Sequence, residues 1–135
     1  MNEIRVGVIG LGSIGLRMLA AFEEHPDFVP TLAWDPSSSA VQAARATFPN
    51  LKIADCASEI TGTQGLDLVY VACPPDHHAN YALAARSADK AVLCEKPLGI
   101  DMDDSEALVS AMATGPAHGV NFLLAASRPA STLYD

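Results

Sequence analysis

The sequence predicts an α/β protein: a doubly wound parallel sheet in three layers, with strand order 3-2-1-4-5-6 and helices on both faces. Three observations lead there. Short apolar runs alternate with amphipathic stretches along the chain. The first run, residues 4–9, opens directly into Gly10-Leu11-Gly12-Ser13-Ile14-Gly15. An acid, Asp35, ends the second run, 20 residues beyond the third glycine.

The first unit therefore reads strand, glycine loop, helix, strand, acid, which is the dinucleotide-binding fingerprint of a Rossmann-type fold. Gly10 permits the tight turn out of the strand. Gly12 lets a pyrophosphate approach the backbone, and Gly15 lets the helix lie close to the sheet. The helix N-terminus offers unpaired N–H groups and the positive end of its dipole. A carboxylate at Asp35 accepts both hydroxyls of an adenosine ribose and repels a 2′-phosphate. Pro36, Ser37, Ser38 and Ser39 follow, with no Arg or Lys to pair that phosphate. NAD(H) is accordingly expected over NADP(H).

The elements follow in order. The first helix is expected over residues 13–24, with Ile14, Met18 and Phe22 as the stripe facing the sheet; Pro26 stops it. A second strand covers 28–34. A second helix spans 39–48; Asp35 or one of Ser37 to Ser39 is available as its cap, with Ser39 and Gln42 as a candidate capping box, and Val41, Ala44 and Phe48 share one face. A short third strand lies near 52–54, and a weak helical turn at 57–60. Residues 68–72 are almost continuously apolar, as in a strand buried on both faces. A helix follows from 77 to 87, with Asp76 available as its cap. The fifth strand is 91–94, and a fifth helical segment runs from 101 to 113. Asp101, Asp103, Asp104 and Glu106 stand at its start, where the dipole favours them. A sixth strand is expected at 120–124.

Composition bounds the function. The 135 residues suffice for one core-forming domain, half are hydrophobic, and the net charge is −8. That charge argues against a nucleic-acid partner, because phosphate binding needs a basic face. No apolar run approaches the ~18 residues of a membrane span, so no membrane is expected either. The chain starts straight into a strand with no signal-peptide pattern. Cys56, Cys73 and Cys94 lack the spacing of a zinc site or disulfide framework, so a cytoplasmic location and no metal are expected.

The chemistry-bearing residues fall after strand ends, where such sheets bind ligands. Cys73-Pro74-Pro75-Asp76-His77-His78 follows the fourth strand, and Glu95-Lys96-Pro97 follows the fifth. An ammonium at Lys96 is placed to hydrogen-bond a substrate hydroxyl and favour a developing alkoxide. The plain alternatives are a stiff capped turn at 74–78 and a surface lysine paired to Glu95.

Together these segments resemble the N-terminal domain of the glucose–fructose oxidoreductase/inositol dehydrogenase (Gfo/Idh/MocA) family, over residues 2–128. The resemblance implies that Gly10, Leu11, Gly12, Ser13 and Ile14 cradle the pyrophosphate and Asp35 holds the adenosine ribose. Cys73, Pro74, Pro75 and His77 line the nicotinamide side, Glu95 approaches the nicotinamide ribose, and Lys96 is the catalytic lysine. The Lys96–Pro97 bond is often cis in such proteins. Asn121 joins the cofactor contacts, although the sixth strand reads Val120-Asn121-Phe122-Leu123-Leu124, with Arg128-Pro129 later, where the family commonly carries an Asn/Tyr-Arg signature. The implied activity is hydride transfer between nicotinamide and a sugar, polyol or inositol hydroxyl. A free-standing, non-catalytic NAD-binding module and a dehydrogenase of another substrate type are the alternatives. Residues 1–128 form the expected domain, with 129–135 starting a connection to an absent C-terminal domain. That domain supplies the family's substrate pocket, acid/base residue and usual oligomer face.

Overall fold

The computed structural model describes residues 3–116 and 118–121. Six strands form one parallel sheet: β1 (Ile4–Ile9), β2 (Phe28–Trp34), β3 (Lys52–Ile53), β4 (Leu68–Val71), β5 (Ala91–Glu95) and β6 (His118–Asn121). Their order is β3-β2-β1-β4-β5-β6, as the sequence predicts. Helices α1 (Ser13–Glu24) and α2 (Ser38–Thr47) cover one face. Helices α3 (Ala57–Gly62), α4 (His78–Ser87) and α5 (Met102–Met112) cover the other.

Alternation along β1 sorts the two cores. Val6 and Val8 pack with Leu19 and Phe22 of α1, Ala44 of α2 and Tyr70 of β4. Ile9 packs on the opposite side with Ile60 of α3, Ala82 and Ala85 of α4, and Leu108 and Met112 of α5. Successive strand residues face opposite sides, so one six-residue strand feeds both cores. Gly7 leaves room for α3, because a Cβ there would sit 2.6 Å from Ile60 Cγ2. Phe22 meets Phe28 and Tyr70 at centroid distances of 5.2 and 5.8 Å. Each such pair adds about 0.5–1.5 kcal/mol beyond its burial.

Pro30 stands inside β2 without breaking the sheet. Val6 aligns with Pro30 and Gly7 with Leu32, so the register skips Thr31 in a bulge. A bulge is where a strand tolerates a residue that cannot donate to the ladder. At the opposite sheet edge from the strand exits, Lys90 is buried and its Nζ donates to the carbonyls of Thr63 (2.8 Å) and Leu66 (3.1 Å).

Five local expectations change. The buried face of α1 is Gly15, Leu19 and Phe22, whereas Ile14 is 39% exposed. The helix is rotated because Gly15 must lie against the turn from β1. Of the candidate caps, Ser37 serves α2, its Oγ accepting from Ala40 N–H, rather than the Ser39–Gln42 capping box. Asp76 caps nothing: Pro75–His77 form a 3-10 turn, and α4 begins at His78. β6 begins at His118, two residues earlier than expected, while 122–124 lie outside the described residues, as do Arg128 and the connection at 129–135. Asp101 is the cap of α5 rather than its first residue, accepting from Asp104 N–H at 2.9 Å, with Asp103 and Asp104 in the first turn. Among the described residues no helix is long and apolar enough to cross a membrane.

Candidate nucleotide cleft

The turn from β1 into α1 is built on glycine for steric reasons. Gly10 has φ +105°, and a Cβ there would lie 2.6 Å from the Ala72 carbonyl carbon and Cys73 N. A Cβ on Gly15 would lie 2.0 Å from the Gly10 carbonyl oxygen. Gly12 is different: a Cβ there would meet nothing within 4 Å. It faces open space at the start of α1 and brings no side chain to cover the first N–H groups of that helix. That is the cradle a pyrophosphate needs.

Asp35 is fixed beside this loop. Oδ2 accepts from Leu11 N–H at 2.7 Å, and Oδ1 accepts from Ser37 N–H at 2.8 Å. One carboxylate thus ties the glycine loop to the exit of β2, and its remaining lone pairs stay available to a ligand. Leu11 departs from the expected role in a cradle. Its side chain is buried in the core, and its N–H is taken by Asp35.

These residues open on a cleft of about 700 Å3 along the C-terminal ends of the strands. Gly10, Gly12, Ser13 and Ile14 line it from the first loop, with Trp34, Asp35 and Pro36 from the exit of β2. Ala72, Cys73, Pro74, Pro75, His77, His78 and Tyr81 line it from the exit of β4 and α4, and Glu95, Lys96 and Pro97 from β5. Of the expected contacts, Leu11 is not in this lining; the backbone of Asn121 aligns with Glu95 in the sheet register, and its side chain lies outside what the structure describes.

The far end of the cleft carries the unusual groups. Lys96 is exposed, and its bond to Pro97 is cis. Glu95, only 3% exposed, accepts a hydrogen bond from the hydroxyl of buried Tyr70. Tyr70 aligns with Leu93, so Glu95 is its diagonal neighbour on the same sheet face. His78 is 1% exposed and sits between two carbonyls: Nδ1 is 2.6 Å from Pro97 O, and Nε2 is 2.7 Å from Cys73 O. His77, by contrast, is exposed, 3.5 Å from Asp76. Its ring lies 6.1 Å from Tyr81, which lies 6.1 Å from Trp34.

Sequence reading alone misses Trp34, Tyr81 and the buried role of His78. The i, i+4 spacing of His77 and Tyr81 is the one signal that could have found the aromatic wall.

Thiol chemistry is suppressed in the cleft. Burial pushes the Cys73 thiol up to about 11, a backbone hydrogen bond offsets part of this, and the charges of Asp76 and Asp35 add to it. Burial, then Cys73 and Glu95, push the Cys94 thiol up to about 12. Both are protonated at neutral pH and poor nucleophiles. Burial and Cys73 likewise raise the Tyr81 hydroxyl. Among the described residues no group of three His, Cys, Asp or Glu could hold a metal.

A model of the Gfo/Idh/MocA oxidoreductase family, described as an NAD-binding Rossmann fold, matches residues 4–118. The chain belongs to this family. An inositol 2-dehydrogenase from Acidothermus cellulolyticus is 33% identical over 125 residues, covering 90% of this chain and 35% of the relative. A dTDP-3,4-didehydro-2,6-dideoxy-alpha-D-glucose 3-reductase from Streptomyces violaceoruber is 35% identical over 110 residues, covering 81% and 32%. The chain thus spans about a third of the length of these curated relatives. The crystal structure of a scyllo-inositol dehydrogenase from Lactobacillus casei, with bound NAD(H) and scyllo-inositol, superposes with a TM-score of 0.83 at 19% identity. It covers 91% of this chain and 37% of that one, a likeness of fold.

The two glycines separate folding from binding. Gly12→Val should keep the circular dichroism spectrum and melting temperature of the parent while abolishing NAD(H) binding by calorimetry. Gly15→Ala forces a Cβ onto a backbone oxygen, so its melting temperature should fall by about 10 °C or more. Binding retained by Gly12→Val would mean that the loop does not hold phosphate.

Proposed function

We propose that this chain is the cofactor-binding half of an NAD-dependent dehydrogenase acting on a hydroxyl of a sugar, polyol or inositol. The observation that carries the reading is the convergence on one cleft of an open glycine turn, a tethered acid and a lysine at the opposite end. The names of the relatives support the substrate class.

Each residue has a task the geometry suits. Gly12, Ser13 and Ile14 present backbone N–H groups to the pyrophosphate. Asp35 accepts from the adenosine ribose with the lone pairs that Leu11 and Ser37 leave over. Pro74, Pro75 and Cys73 wall the nicotinamide side, and the neutral Cys73 thiol there does not compete as a nucleophile. Glu95 forms the floor beside the nicotinamide ribose. The nicotinamide, when bound, supplies the hydride acceptor or donor. Lys96 is the catalytic residue: its ammonium donates to the substrate hydroxyl oxygen and favours the charge that develops there as the hydride leaves carbon. The substrate pocket, the proton acceptor and the oligomer contacts belong to a further domain of the longer protein. The cytoplasm is its proposed compartment.

The direct test is NADH production from a panel of inositols and sugars by the polypeptide extended along its reading frame past codon 135. Lys96→Ala should lower kcat about 100-fold or more, in line with loss of a donor to a developing oxyanion, with NAD(H) affinity nearly unchanged. Unchanged kcat removes Lys96 from the mechanism.

Cofactor choice rests on Asp35. Because its carboxylate also holds Leu11 N–H, truncation to Ala would loosen the glycine loop; Asp35→Asn retains an acceptor. Wild-type protein should bind NAD(H) about tenfold or more tighter than NADP(H), since like charges in contact repel strongly. Asp35→Asn combined with Ser38→Arg should narrow or invert that ratio by calorimetry, leaving the Ser37 cap intact. Equal wild-type affinities contradict the assignment.

A further inference from the structure

His78 is the most buried titratable group bordering the cleft, and none of the roles above uses it. Its ring bridges two segments that are distant in sequence and adjacent in space. On one side is the carbonyl of Cys73, at the exit of β4. On the other is the carbonyl of Pro97, one residue after Lys96. Both partners are carbonyl oxygens, which only accept. A neutral imidazole has one N–H and one lone pair, so it would satisfy one contact and set a lone pair against the other at 2.6–2.7 Å. The ring therefore donates to at least one of the two carbonyls and fills the space between them. The titratable neighbours on the joined segments are Cys73, Asp76 and His77 before the ring, and Glu95 and Lys96 at the other end.

We propose that His78 is a positioning residue: its ring bolts the β4 exit to the Lys96–Pro97 segment and so sets the nicotinamide end of the cleft. The inference rests on the cofactor reading above and deepens it. The fold itself does not need this bolt, because β4 and β5 are already paired from Leu68 with Ala91 to Val71 with Cys94. What the ring adds lies beyond the last paired residues, where the two loops have left the sheet. His77 does not share this role, being exposed and turned to Tyr81. At the other end of the cleft, Asp35 performs the matching task by tying β2 to the glycine loop. The cleft thus has two separately fastened ends, and a defect at one should be felt by only part of a dinucleotide.

The test compares NAD(H) with ADP-ribose, which has the same adenosine diphosphate and ribose but no nicotinamide. His78→Gln keeps an amide donor but cannot span both carbonyls. The variant should lose about tenfold or more in NAD(H) affinity, as expected when a buried hydrogen-bonded bridge is broken. Its ADP-ribose affinity should stay within about twofold of wild type. A merely structural histidine would weaken both ligands together, and that result, or no change in either, overturns the proposal. A wild-type protein that fails to bind ADP-ribose overturns the cofactor reading as well. Independently of any variant, nitrogen–proton spectra of the wild type should show a His78 ring N–H that is hydrogen-bonded and protected from exchange with solvent. A ring N–H that exchanges at the solvent rate contradicts the bridge even if His78→Gln does not fold.

Discussion

The cleft depends on the tightness of the turn between β1 and α1. Gly15 lies so close to the Gly10 carbonyl that no Cβ fits between them, and Gly10 needs a left-handed backbone against the exit of β4. That contact draws the helix start down onto the strand end. It rotates α1 so that Gly15, Leu19 and Phe22 face the sheet and Ile14 is left at the cleft. It also leaves Gly12 over open space. Steric exclusion at two glycines and vacancy at the third are one arrangement seen from two sides. The first two hold the fold, and the third leaves the room that a phosphate requires.

Around that turn, loops leaving separate strands are fastened by side chains rather than by the sheet. Asp35 links the β2 exit to Leu11, and His78 links the β4 exit to Pro97. Glu95 is engaged from below by Tyr70 of the neighbouring strand. Polar groups removed from water are costly unless hydrogen-bonded, so each tether restricts its loop to few arrangements. Parallel strands place all these exits on one edge, and that is why residues far apart in sequence share one cleft.

Much of this was legible in the sequence, for reasons that differ by element. The apolar run at 68–72 has the pattern of a strand covered on both faces, and β4 is that strand, buried from Val69 onward. The glycine spacing and Asp35 located one end of the cleft, because each position there is set by local backbone sterics. Properties that depend on a distant partner were not legible. Hydropathy gave α1 a stripe through Ile14, since pattern alone does not register how close Gly15 comes to Gly10. Nothing in the pair His77-His78 tells which ring turns inward; the acceptors that decide it are Cys73 and Pro97, five and 19 positions away. Glu95 is next to Lys96 in sequence, but the donor to its carboxylate is a tyrosine 25 residues earlier. The cap at Asp76 failed because Pro74-Pro75 start a 3-10 turn that shifts the helix onset to His78.

The central claim is that one nucleotide spans the cleft from Asp35 to Lys96. Titration of isotopically labelled protein with NADH, followed by backbone amide shifts, tests it most directly. The account predicts saturable changes gathered at residues 10–15, 35–37, 72–78 and 95–98, with β3 and the Lys90 edge of the sheet unmoved. Changes centred instead on the apolar groove between β5 and α5, around Val92, Leu108 and Met112, or no saturable change at all, would contradict it.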